Sequence, residues 1–130
     1  MVSKTNVDSY YKNALNLAYL GDSVFSLMVR EYLVKNRDAK PNALNKLANS
    51  VVCAKAQAEF MQKIKDSLEK DELDIVLRAR NAHLNNKAKN SSLQEYSLAT
   101  QFEAVVGYWY LNQNKEKLDS MFDLVKEKLC

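Results

Sequence analysis

Two acidic residues, Asp22 and Glu103, stand in stretches that otherwise read as apolar helix. Asp22 lies in "LAYLGDSVF" (17–25), between Ala14-Leu15 and Leu27-Met28-Val29, and Glu103 lies in "FEAVVGYWYL" (102–111). Each acid is close to a glycine, Gly21 or Gly107, and these are the only two glycines in 130 residues. A glycine in a helix interior costs about 1 kcal/mol relative to alanine, and a charge carried into an apolar stripe is costly unless something pairs with it. Glycine has no Cβ, so each position admits the close approach of another backbone. Glu103 and Gly107 are four residues apart and share a helix face. If the two helices pack together, Asp22 and Glu103 face one cleft. Paired carboxylates without a partner base suit a hard cation, because Mg²⁺ takes one or two carboxylates and fills its shell with water and phosphate. The plainer alternative has each acid turned out to solvent or paired with a nearby Lys or Arg. The coincidence of both acids with the only two glycines weighs against it.

Helices must carry these residues. Two glycines and one proline leave little punctuation for hairpins, strand-like alternation is absent, and the chain reads as all-α. The pattern predicts a short lead helix at about 6–12 and a long one at 14–35, then a turn at "KNRDAKPN". Pro41 then suits the first position of a helix ending near Ser50. Further helices are expected at 54–67, with Ala56, Phe60 and Ile64 on one stripe, and at 70–82, carrying Leu73, Val76 and Leu77. Residues 83–95, "HLNNKAKNSSLQE", are rich in Asn, Ser and Lys and are expected to form a loop. Helices at 96–112 and 114–129 complete the chain, which is expected to form a single domain over 1–130. No repeat or linker interrupts it.

Composition narrows the setting. Apolar residues make up 47% and charged residues 27%, the balance of a folded globular protein rather than a disordered one. No apolar stretch approaches the roughly 20 residues needed to cross a bilayer, so no membrane partner is expected. "MVSKTNVDSYYKN" resembles neither a secretory signal nor a transit peptide. Cys53 and Cys130 offer no disulfide framework or metal-ligand spacing, which fits a reducing cytoplasm. A net charge of +3 permits a nucleic-acid partner without arguing for one. His83, the only histidine, reads as a solvent-facing loop residue rather than a catalyst, and Cys53 as a packing residue.

Several blocks taken together resemble a known family. "LNLAYLGDSVFSLMVREYL" resembles the ribonuclease III signature segment, and "TQFEAVVGYWYL" its second acidic motif. "AYLGDSV", "KPN" at 40–42, "AKAQA" at 54–58, "RARNA" at 78–82 and "FEAVVGYWYL" are similar to the Mini-III branch, which has no double-stranded-RNA-binding domain. The resemblance covers about residues 10 to 120. It implies the helical fold of the ribonuclease III endonuclease domain and a homodimer that cleaves double-stranded RNA with Mg²⁺. Asp22 and Glu103 take the places of the family's metal-binding, catalytic acids. Ala18 and Thr100 stand where ordinary ribonuclease III enzymes carry further acids, a reduction shared with the Mini-III branch. Ala79 stands where that branch often has Gly, and Cys53 where Ser would cap a helix better.

Such chemistry needs no side-chain nucleophile, since metal ions held by carboxylates can activate water and stabilise the phosphate. The resemblance further implies precursor 23S ribosomal RNA as substrate and allows a ribosomal protein as helper. RNA contacts are expected from Lys40, Asn42, Arg78, Arg80, Asn81, Lys87, Lys89 and Asn90, with Arg78, Arg80, Lys87 and Lys89 lining one approach to the acids. Tyr19 matches the aromatic knob of the family's dimer junction; the alternative is a core tyrosine. The rival function is a non-catalytic ribonuclease III-like module that binds RNA or the ribosome.

Overall fold

The structure is a computed structural model describing residues 13–84 and 92–129. Among those residues there are six α-helices and no strands: α1 (Ala14–Asn36), α2 (Pro41–Val52), α3 (Ala54–Ile64), α4 (Lys70–Leu84), α5 (Ser92–Leu111) and α6 (Lys115–Leu129). A 3₁₀ turn, Lys65–Ser67, extends α3. The expected lead helix at 6–12 lies outside the described residues.

Local chemistry starts and stops these helices. The Asn13 side chain accepts from the backbone N–H groups of Leu15 and Asn16 at 3.1 and 3.2 Å, capping α1. Pro41 occupies the first turn of α2, where its missing N–H removes no helical bond. Between α2 and α3 the chain bends at Cys53, which is extended (φ −70°, ψ 157°) and makes no side-chain cap. The Glu69 N–H donates to Glu72 Oε1 at 2.7 Å at the head of α4, half of a capping box. After α5 the chain turns through Gln113 in the left-handed region (φ 56°), and the Asn114 side chain accepts from the Lys117 N–H to start α6.

One expected boundary is wrong. Residues 92–95 are not loop but the first turn of α5, and His83 and Leu84 belong to the last turn of α4. The signal was present: Ser92-Leu93-Gln94-Glu95 has the S-x-x-E pattern of a helix start, with an acid in the first turn. The apolar stripe of α4 also differs. Leu73 and Leu77 are exposed, and Glu72, Ile75 and Ala79 form the buried face.

Helix α5 is the centre of the fold, packed by α1, α3, α4 and α6. Its run from Ala99 to Trp109 is buried at every position but Glu103, which is half-buried. A helix apolar around its whole circumference must be enclosed in this way. Three rings knit α1, α3 and α5 together: Phe25 meets Phe102 edge-on at 5.1 Å, and Phe60 lies 6.3 Å from Phe25 and 5.9 Å from Phe102.

The two glycines lie face to face where α1 crosses α5. A Cβ on Gly21 would come within 1.8 Å of the Glu103 carbonyl oxygen, and one on Gly107 within 2.1 Å of the Leu17 carbonyl oxygen. Both obstacles are backbone, which cannot swing aside. Gly21→Ala and Gly107→Ala should therefore each destabilise the protein by about 3 kcal/mol or more, as overpacking does at its upper end. Urea denaturation measures this, and parental stability in either variant would contradict the crossing.

Candidate functional site

The glycine crossing sets the position of the acids. Gly21 touches the backbone of Glu103, and Asp22 is the next residue along α1. The Asp22 and Glu103 carboxyls are within hydrogen-bonding reach of each other. Asp22 is exposed at the surface, whereas Glu103 is half-buried behind it. Neither forms an ion pair with Lys or Arg among the described residues. The plainer alternative thus holds only for the exposure of Asp22.

Burial, followed by the hydrogen bond and negative charge of Asp22, pushes the Glu103 carboxyl up to about 8. The Gln57 amide on α3 acts in the opposite direction and favours the ionised form. Two hard oxygen donors brought together, with no ion pair to Lys or Arg among the described residues, fit a divalent metal, which would offset both the burial and the like charge that raise Glu103. Ala18 is buried and has no ligand atom. Thr100 turns its hydroxyl back to donate to the Tyr96 carbonyl at 3.0 Å. Neither position supplies a third ligand.

A second acidic group has the opposite character. Glu69, Asp71 and Glu72 gather at the head of α4, with their carboxylate oxygens within 4.8 Å of one another. Lys117 bridges Glu69 and Glu72, the latter at 2.6 Å, the Trp109 indole N–H donates to Glu72 at 2.6 Å, and the Tyr108 hydroxyl donates to Asp71. Burial pushes Glu72 up, but Lys117, the Glu69 N–H and Trp109 outweigh it and hold the carboxyl below 4.5. These acids already have partners, and they tie α4 to α5 and α6. Sequence reasoning missed this knot because its members are 37 and 45 residues apart.

The remaining predicted residues are dispersed. Lys40 is the exposed N-cap of α2, and Asn42 follows in its first turn, on the wall of an open cavity of about 480 Å³ shared with Arg30 and Val34. Arg78 is half-exposed and paired with Asp74 at 3.0 Å. Arg80 lines a groove with Leu73, Leu77, Leu98 and Gln101, and Asn81 is exposed beside it. Lys87, Lys89 and Asn90 lie outside the described residues. Tyr19 is 84% exposed, which excludes the core-tyrosine alternative. Cys53 is a free, exposed thiol rather than a packing residue.

This helical fold with its acid pair belongs to a known class. Residues 15–114 match the ribonuclease III domain. The chain is 40% identical to the Mini-ribonuclease 3 of Clostridium tetani, over 93% of this chain and 81% of that one. It is 39% identical to that of Enterococcus faecalis, over 90% of both. A crystal structure of a Fusobacterium nucleatum protein superposes with a TM-score of 0.81 at 29% identity, covering 91% of this chain and 94% of that one. The chain therefore belongs to the ribonuclease III family, in its Mini-III branch, and is an endoribonuclease. Nucleases of this family use a divalent metal and act on double-stranded RNA. No helix among the described residues is long and apolar enough to cross a membrane.

The raised Glu103 carboxyl carries a stability signature. Below 4.5 both folded and unfolded forms hold the proton. Between 4.5 and about 8 only the folded form does, so metal-free stability falls as pH rises through that window and then levels. Glu103→Gln removes the slope. Its metal-free melting temperature should match the parent in acid and exceed it by a few degrees above about pH 8. A lower melting temperature in calorimetry at the alkaline end would make the acid pair a structural contact.

Proposed function

We propose that this chain is a Mg²⁺-dependent, homodimeric, double-strand-specific endoribonuclease that processes the stems of precursor 23S ribosomal RNA in the cytoplasm. Asp22 and Glu103 are its metal-binding, catalytic acids, and residues 1–130 form one catalytic domain. The feature that supports this most is the acid pair itself: two carboxyls within hydrogen-bonding reach, Glu103 pushed up to about 8 by burial and by Asp22, and no ion pair to Lys or Arg at either among the described residues.

The two acids divide the work by exposure. Glu103, as a carboxylate, would anchor a divalent ion from the protein side. Asp22, at the surface, completes the anchor where a duplex backbone can reach it. A divalent ion such as Mg²⁺ held by Asp22 and Glu103 would supply an activated water and neutralise charge on the attacked phosphate. Ala18 and Thr100 offer no further ligand, so the remaining donors to such an ion would be water and RNA. The duplex is held by Lys40, Asn42, Arg78, Arg80, Asn81, Lys87, Lys89 and Asn90 through the phosphate backbone and 2′-hydroxyls, with little base preference. Cutting both strands calls for two centres related by a two-fold axis. The exposed Tyr19, with exposed Leu15 one turn before it on α1, gives a partner copy an aromatic and aliphatic surface to seat on. A ribosomal protein bound to the precursor is compatible with this substrate as a helper.

Incubation of the purified protein with long RNA duplex, DNA duplex and single-stranded RNA, with and without Mg²⁺, tests the reading. Only the RNA duplex with Mg²⁺ should be cut, because DNA lacks the 2′-hydroxyls and has a different groove shape. Asp22→Asn and Glu103→Gln should each lower the rate by on the order of 100-fold or more, the usual loss when an electrostatic stabiliser is removed. Equal cleavage of all three substrates, or full activity in either variant, would overturn it.

A further inference from the structure

Gln57 is the third side chain at the acid pair. It lies on α3 in "AKAQAEF", only 3% exposed, on a face it shares with Phe60, Met61 and Ile64. Its Nε2 is buried and has no hydrogen-bond partner; α3 packs on α5, with Phe60 5.9 Å from Phe102, which sets the amide beside the Glu103 carboxyl. A buried donor left unmade costs on the order of 1–3 kcal/mol. Methionine or leucine would fill nearly the same space without that cost, so the amide at this position calls for a partner.

We propose that Gln57 is the positioning residue of the acid centre: its amide donates to one oxygen of the Glu103 carboxylate and thereby turns the other oxygen toward a divalent cation shared with Asp22. This rests on the reading of Asp22 and Glu103 as a cation site. Three features support it. The glycine crossing touches the backbone of Glu103 and does not by itself fix its carboxyl. The ring cluster fixes the three helices close to the three polar groups, since Phe25 follows Asp22 by three residues, Phe60 follows Gln57 by three, and Phe102 adjoins Glu103. With Ala18 and Thr100 supplying no further ligand, the two carboxylates need orienting by a group that does not cancel their charge. A neutral amide does this, whereas a lysine would compete with the cation. Neighbours one step out from a metal act through their hydrogen bond to the ligand.

Mn²⁺ titration followed by the electron paramagnetic resonance of the free ion measures the effect in the whole chain. Parent, Gln57→Met, Gln57→Leu and Glu103→Gln are compared, with metal-free melting temperatures alongside. Both Gln57 variants should melt at or above the parent temperature, since they lose an unpaired donor. Both should bind Mn²⁺ roughly 10–100-fold more weakly. On duplex RNA, kcat should fall with KM little changed. If Glu103→Gln weakens Mn²⁺ binding and the Gln57 variants do not, Gln57 has no positioning role and the cation site survives. If none of the variants alters Mn²⁺ affinity, the cation site falls and this inference with it. Gln57 variants that melt well below the parent would make it a packing residue and overturn the proposal.

Discussion

The backbone contact between α1 and α5 at Gly21 and Gly107 is the constraint on which the rest depends. Each glycine stands where a Cβ would overlap the carbonyl oxygen of the opposite helix. Helices that pack through side chains keep their axes 8–10 Å apart; the loss of both Cβ atoms lets these two come closer. The close approach brings Asp22 beside Glu103 at the cost of two residues that weaken the helices they interrupt. Everything in the core around the crossing, above all the Phe25–Phe60–Phe102 cluster, holds the helices in that register.

The chain contains two acidic groups, and they contrast in how their charges are balanced. Glu72 is almost fully buried, yet it stays below its ordinary value because Lys117, Trp109 and the Glu69 N–H surround it. Glu103 is pushed up to about 8 by its burial and then by the hydrogen bond and negative charge of Asp22, with only the neutral Gln57 amide acting against them. The first arrangement is stable as it stands and ties α4 to α5 and α6. The second carries a repulsion that the fold alone does not relieve, and that a divalent cation would. Glu103, perturbed toward its neutral form beside an exposed acid, is the functional-site candidate of the two, and the partnered Glu72 cluster is a structural tie.

The acid–glycine pairs were legible in the sequence because each breaks a local rule. A glycine and a charge inside an apolar helical run both carry a cost that folding alone does not explain. The helices themselves were legible from periodicity, and Pro41 marked the start of α2. The register of α4 was not, because its buried face includes Glu72, an acid that reads as surface until Lys117 and Trp109 are seen beside it. The start of α5 was missed because a run of Asn, Ser and Lys outweighed the short S-x-x-E signal at 92–95. Gln57 was quoted only as part of a motif. A glutamine on a helix is ordinary, and only its burial and the neighbouring Glu103 make it informative.

The central claim is that the glycine crossing forces Asp22 and Glu103 into a repulsive pair that a divalent cation relieves. Carbon-13 NMR of the glutamate side-chain carboxyls, with Glu103 assigned by its loss in Glu103→Gln, tests this directly. Without metal, the Glu103 signal should titrate near 8, and replacing Asp22 with Asn should bring it down. With saturating Mg²⁺ the signal should stay that of a carboxylate well into the acid range, because the cation competes with the proton for the same oxygens. A Glu103 signal that titrates near 4.5, the ordinary value, and does not respond to Asp22→Asn or to Mg²⁺ would contradict the account.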